Sequence, residues 1–154
     1  MTTIDDPWTT GEHPVSVEDL QTIADEVWAT FLDAGDVPPP ADGSADAAVH
    51  ATIAVLGSWT GQVVVECSRD AAERMAQQML MVTEVSEADL DDTVGELVNV
   101  VGGNVKSLVP APSSLGLPVT VTGRFTGGEE QELCRVEVDW AGHPVSVSVW
   151  TQAA

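Results

Sequence analysis

The 154-residue chain carries 25 acidic residues against five basic ones, a formal charge of −20 at pH 7, and is 44% hydrophobic. That size and composition support one domain with a packed core, while so negative a surface excludes nucleic acid and anionic membrane surfaces as partners. No apolar run approaches the ~20 residues of a membrane span, so partners are expected to be proteins or small ligands.

Residues 1–15 contain Pro7, Gly11 and Pro14 and read as an irregular leader, acidic and polar rather than like a secretory signal. Residues 16–154 read as a single domain. Ser16 with Asp19 makes a capping pattern for a first helix. Its apolar stripe is Val17, Leu20, Ile23, Ala24, Val27, Trp28, Phe31 and Leu32, and Gly35 is expected to stop it. The segment 36–46, with Pro38, Pro39 and Pro40, reads as an exposed connection.

Val49–Leu56 and Gln62–Cys67 alternate and predict a hairpin whose loop exceeds two residues. Ser68 is placed to cap a second helix that buries Ala72, Met75, Ala76 and Met79, the methionines as core fillers. Ser86 and Asp89 open a third helix that runs to about Leu108, where Pro110 and Pro112 end it. Strands are then expected at Val119–Phe125, Leu133–Trp140 and Val145–Trp150, with turns at Gly127-Gly128 and Gly142-His143-Pro144. Strands in runs, rather than in strict alternation with helices, predict an α+β fold with a largely antiparallel sheet packed by amphipathic helices.

Cys67 and Cys134 lie in apolar alternating stretches and read as buried thiols of a reducing compartment, which places the protein in the cytoplasm. Trp28, Trp140 and Trp150 are expected in the core, and Trp8 and Trp59, in turns, as exposed contacts. His13, His50 and His143 have no zinc spacing. Ser113-Ser114 sits in a proline-flanked loop with no histidine partner, and the chain has neither a P-loop nor a dinucleotide fingerprint.

The third helix, SEADLDDTVGELVNVVGGNVKSL, separates into two stripes. At ~100° per residue, Leu90, Val94, Leu97, Val98, Val101, Val105 and Leu108 cluster within about 50° of one direction. Asp92, Glu96, Asn99, Gly103 and Lys106 cluster within about 40° of the opposite one. Two readings fit Gly103, which costs ~1 kcal/mol relative to alanine: close approach of another surface to the helix backbone, or a kink that moulds the helix to its sheet. Glu96 and Asn99, three apart, stand side by side.

The run Asp92-x-x-x-Glu96-x-x-Asn99-x-x-x-Gly103-Asn104, with Leu117-Pro118 at a following strand, resembles the signature of the CheC/CheX/FliY chemotaxis phosphatases. The leading amphipathic helix, the hairpin with Gly57 and Gly61, and the helix Ala71–Leu80 come in the same order as in CheX, so the resemblance covers about residues 16–151. One such helix is present, as in CheX, where CheC has two. Pro118 follows Asn99 at a shorter interval than in the family pattern, so a shorter connection is expected.

The resemblance implies a CheX-like fold and hydrolysis of the aspartyl phosphate of a CheY-like response regulator. Asn99 would orient an in-line water, a task that suits a non-titrating amide that both donates and accepts. Glu96 would pair with the regulator's active-site lysine. Asp92, Gly103 and Lys106 would belong to the docking face, although simple solvation, or a favourable interaction with the N-terminal half of the helix, explains Asp92 equally well. Asn104 reads as a structural hydrogen-bonder. The resemblance implies no cofactor of the protein's own, since Mg²⁺ resides on the regulator, and a homodimer joined through a sheet edge that the sequence does not identify. A second reading is a binding module that docks a regulator or a flagellar switch component without hydrolysis; a third is a structural dimer whose helix face is merely wet.

Overall fold

The computed structural model describes residues 14–40 and 47–152. Most of the leader, with Trp8 and His13, and positions 41–46 of the proline-rich connection lie outside the described residues.

Helix α1 spans Val17–Phe31, and the Ser16 hydroxyl accepts from the Asp19 amide as its cap. It ends four residues before Gly35, with Leu32 as its C-cap. Its core contacts are narrower than the apolar stripe, for Val17 (54%) and Phe31 (41%), at the two ends, are exposed. Val15, just before the cap, is fully buried. Strands β1 (Ala48–Gly57) and β2 (Gly61–Ser68) form the expected hairpin. Helix α2, Arg69–Leu80, is capped by Ser68 and buries Ala71, Ala72, Met75 and Ala76, with Met79 packed at the margin. Helix α3 spans Glu87–Lys106.

The C-terminal third holds four strands among the described residues, one more than expected. These are β3 (Ser113–Leu115), β4 (Val119–Thr122), β5 (Glu130–Trp140) and β6 (His143–Gln152). Ser113-Ser114 is therefore strand, not loop, because it pairs with the end of β1. The expected strand Val119–Phe125 stops at Thr122, since Gly123 takes a φ of 115° and Phe125 turns onto the sheet, edge-on to His50 and Trp150. The β5–β6 turn is the two-residue pair Ala141-Gly142, both at positive φ, which matches the twist of a hairpin. His143 and Pro144 already belong to β6.

Every pairing in this α+β fold is antiparallel, in the order β3/β4–β1–β2–β6–β5, with β3 and β4 sharing one side of β1. Alternation puts Val49, Ala51, Ile53 and Val55 of β1 on the same face as Val63, Val65 and Cys67 of β2. Val145, Val147 and Val149 of β6 and Cys134, Val136, Val138 and Trp140 of β5 complete it, and all are buried under the helices. Both cysteines are free, and burial pushes the Cys67 thiol to about 12 and the Cys134 thiol to about 11.

Trp59 is 4% exposed, against the expectation of a surface contact. Its indole folds back over Gly61, where a Cβ would stand 2.4 Å from the ring, so the loop closes only because residue 61 has no side chain. Trp28 and Trp140 are in the core as expected, while Trp150 is half-buried on the other face of the sheet, where Gly127 lies against its ring.

Candidate functional site: a cleft between α3 and the β1 edge

Helix α3 begins with a complete capping box. The Ser86 hydroxyl accepts from the Asp89 amide (3.1 Å) and the Asp89 carboxylate accepts from the Ser86 amide (3.0 Å), which satisfies two otherwise orphan donors. Lys106 in the last turn complements the helix dipole. Leu90, Val94, Leu97, Val98, Val101 and Val105 face the sheet as expected. Leu108 does not: it lies beyond the helix end, 37% exposed, and Val109 fills the core in its place.

The two central glycines have different reasons. A Cβ on Gly102 would sit 2.6 Å from Cγ2 of buried Ile53, so this glycine lets the helix settle onto β1. Among the described residues, a Cβ on Gly103 would meet only Leu115 Cδ1, at 4.0 Å. Packing inside the domain makes no demand for glycine at 103.

Asp92 and Glu96 are exposed, and Asn99, Gly103 and Lys106 are half-buried along the same outer face. Three of these five residues, Asp92, Glu96 and Asn99, line one open cleft of about 530 Å³, together with Asp91, Gly95, Leu117, Pro118 and Thr120. Gly103 and Lys106 continue the helix face beyond the cleft without lining it. None of the side chains of Asp92, Glu96, Asn99 or Lys106 makes a hydrogen bond or ion pair with any described residue. Asn104, by contrast, donates to the Val100 carbonyl at 2.9 Å and serves its own helix, as expected.

The opposite wall comes from the chain running beside β1. Val55 pairs with Leu115 and Thr52 with Val119, so Ile53 and Ala54 face three residues, Gly116, Leu117 and Pro118. This is a one-residue bulge. The Gly116 amide donates to the Ala54 carbonyl (2.9 Å) and holds the bulge to the sheet. Helix and strand meet where Gly95 faces Pro118 Cβ and Thr120 Oγ1, 3.7 and 3.6 Å from the position of a Cβ. The Thr120 hydroxyl donates to the Asp91 carbonyl at 3.3 Å. Asp91, Gly95 and Thr120 carry no signal of their own in the sequence, since their place depends on the pairing of β4 with β1.

Chemically the cleft offers an amide with free donor and acceptor capacity beside a free carboxylate, and no thiol or imidazole to act as nucleophile. Among the described residues no group of three or more His, Cys, Asp or Glu is placed to hold a metal ion. His50 Nδ1 bonds to the Gly123 carbonyl (2.8 Å) and His143 Nε2 to the Pro38 carbonyl (2.9 Å), which makes both rings structural. A second cavity, of about 340 Å³ on the other face of the sheet, is lined in part by Arg124 and Arg135. Arg135 pairs with Glu132 (2.5 Å), and the exposed Arg124 lies 3.5 Å from Glu66, so each of these two cations stands beside a carboxylate.

Residues 49–134 match the protein family described as chemotaxis phosphatase CheX. No curated protein sequence matches the chain. Among solved structures it is similar to the chemotaxis protein CheX from Vibrio vulnificus, with 19% identity and a TM-score of 0.63 over 90% of this chain and 97% of that one. It is similar to a chain of the CheX–CheY–BeF3–Mg²⁺ complex from Borrelia burgdorferi, with 15% identity and a TM-score of 0.65 over 92% and 100%. A chemotactic CheC-like protein from Shewanella oneidensis aligns with 16% identity and a TM-score of 0.61 over 86% and 95%. At such identities the structural likeness speaks to the fold.

Proposed function

The chain belongs to the CheX family of chemotaxis phosphatases, and from that membership we propose that it accelerates hydrolysis of the aspartyl phosphate on a CheY-like response regulator. The observation that carries the reading is the Asn99 amide, without a side-chain partner among the described residues and half-buried in an open cleft beside Glu96.

An acyl phosphate is already labile, so the catalyst's task is to hold water in line with the bond that breaks. The amide oxygen of Asn99 accepts from the water and its N–H donates toward the phosphoryl region. The water oxygen attacks phosphorus, the bond to the aspartyl oxygen breaks, the carboxylate leaves, and the water's proton ends on phosphate. Asn99 orients and does not titrate. A Mg²⁺ held by the regulator would supply the charge that offsets the phosphoryl oxygens, and this reading asks the chain's own residues only to bind and to orient.

Glu96 docks the regulator by pairing with its active-site lysine, a charge-assisted hydrogen bond that strengthens as the interface excludes water. Asp92 extends the acidic rim. Bare Gly103 admits the visiting surface to the helix backbone, and Lys106 supplies the cation of that face. In this reading the protein acts in the cytoplasm as a homodimer. Among the described residues, no helix is long and apolar enough to cross a membrane.

The test is decay of a phosphorylated CheY-type receiver. Asn99→Ala is expected to lower the acceleration about 100-fold while binding is kept. Glu96→Ala is expected to weaken binding about tenfold or more and to slow decay. Full activity in both variants would end the enzymatic reading. Tight binding of the phosphorylated receiver by wild type without faster decay would favour a docking module instead.

A further inference from the structure

Leu117 stands at the apex of the bulge and is 86% exposed, whereas Leu56, Leu80 and Leu108 are 45%, 37% and 37% exposed. It is not a loose residue. Its neighbour Gly116 is bonded to the Ala54 carbonyl, and Pro118 on its other side packs beside Gly95, so a fixed backbone holds the isobutyl group out at the rim of the Asn99 cleft. An isolated surface leucine needs no explanation. A leucine displayed on an anchored bulge, in the wall facing an amide with no partner among the described residues, does.

The rest of the rim is acidic, with Asp91, Asp92 and Glu96 around the cleft. These carboxylates, on a chain of charge −20, do not attract a protein surface that bears a phosphoryl group. Net attraction must come from one local ion pair and from apolar burial, which salt does not screen. A second copy of this chain fits the cleft poorly, since its own carboxylates would face these.

We propose that Leu117 is the apolar anchor of the docking surface, seated in an apolar depression beside the phosphorylation site of a receiver domain, and that it sets which receivers the cleft accepts. The proposal rests on the phosphatase reading of the cleft and adds a specificity element from the strand side. Leu117 touches the partner and not the reacting atoms, so it governs affinity and leaves the rate of the bound complex alone.

The experiment uses the full chain and CheY-type receivers encoded in the same genome. The receivers are loaded with BeF3⁻ and Mg²⁺ for binding and phosphorylated with acetyl phosphate for turnover. Leu117→Ser is expected to raise the Kd and the half-saturating receiver concentration about tenfold or more with an unchanged saturated rate. The ratio of variant to wild type is expected to hold across added salt, and Leu117→Met to restore wild-type behaviour. Asn99→Ala should show the converse split, with Kd kept and saturated rate lost.

Wild-type affinity in Leu117→Ser overturns the anchor. Loss of self-association in Leu117→Ser with receiver affinity intact overturns it in favour of a contact between copies. If wild type binds a receiver without hastening its decay, the phosphatase reading falls and the anchor stands on the Kd values. If no receiver binds wild type, both fall.

Discussion

Replacing each glycine of the Gly102-Gly103 pair by alanine separates folding from docking on one helix. Alanine gains ~1 kcal/mol over glycine in a helix interior. At position 103 no described residue offsets this gain, because among them the new Cβ meets only Leu115 Cδ1, at 4.0 Å. Gly103→Ala is therefore expected to stabilise the protein by about 0.5–1 kcal/mol, or roughly 1–4 °C in Tm for a chain of this size. At position 102 the Cβ would lie 2.6 Å from Cγ2 of Ile53, a β-branched side chain that is 1% exposed and has no free rotamer to retreat into. Overpacking of that kind costs about 1–3 kcal/mol, so Gly102→Ala is expected to come out neutral to ~2 kcal/mol destabilised. The two variants should differ by about 1–3 kcal/mol in urea unfolding, read from the shift in midpoint at an unchanged slope. In receiver binding, Gly103→Leu, its folding checked by the same urea midpoint, should weaken affinity about tenfold by holding the partner off the helix backbone. Equal stability changes at the two positions would refute the packing argument. A stabilised Gly103→Leu protein with wild-type affinity would refute the role of Gly103 in docking.

The buried thiols predict an alkaline limit to stability. Folding raises Cys67 from 9.0 to about 12 and Cys134 from 9.0 to about 11, so the folded chain keeps protons that the unfolded chain releases. Stability is then level below about pH 9 and falls by about 1.4 kcal/mol per pH unit per thiol up to the folded values. Urea midpoints that stay level between about pH 9 and 11 would contradict this, and Cys67→Ala should flatten the fall. The charge of −20 predicts the response of docking to salt. Association with the receiver, followed by stopped flow, should slow as ionic strength is lowered, and faster association at low salt would show that local attraction outweighs global repulsion.

The three helices were legible from Ser16, Ser68 and Ser86, because a capping hydroxyl and a 3.6-residue stripe are local features. The central strands were legible from alternation. What escaped the sequence is what one segment owes to another. Ser113–Leu115 is too short to show a period and becomes strand only through its pairing with β1. Trp59 looked like a turn residue, and its burial depends on the bare backbone of Gly61, two positions away. The cleft divides in the same way. Its helical wall, Asp92, Glu96 and Asn99, follows from one helix face, whereas Leu117, Pro118 and Thr120 reach it through a register that shifts by one residue along β1.

The contact of Gly95 with Pro118 and the bond from Thr120 to the Asp91 carbonyl join the two walls into one body. The cleft thus needs no lid and no refolding before it receives a visitor. The backbone entropy of assembling the two walls is settled when the chain folds, and only the rotamers of the exposed side chains are fixed at each encounter. A preassembled surface of this kind implies binding in a single kinetic phase, with a rate that rises linearly with receiver concentration and does not level off at an internal rearrangement.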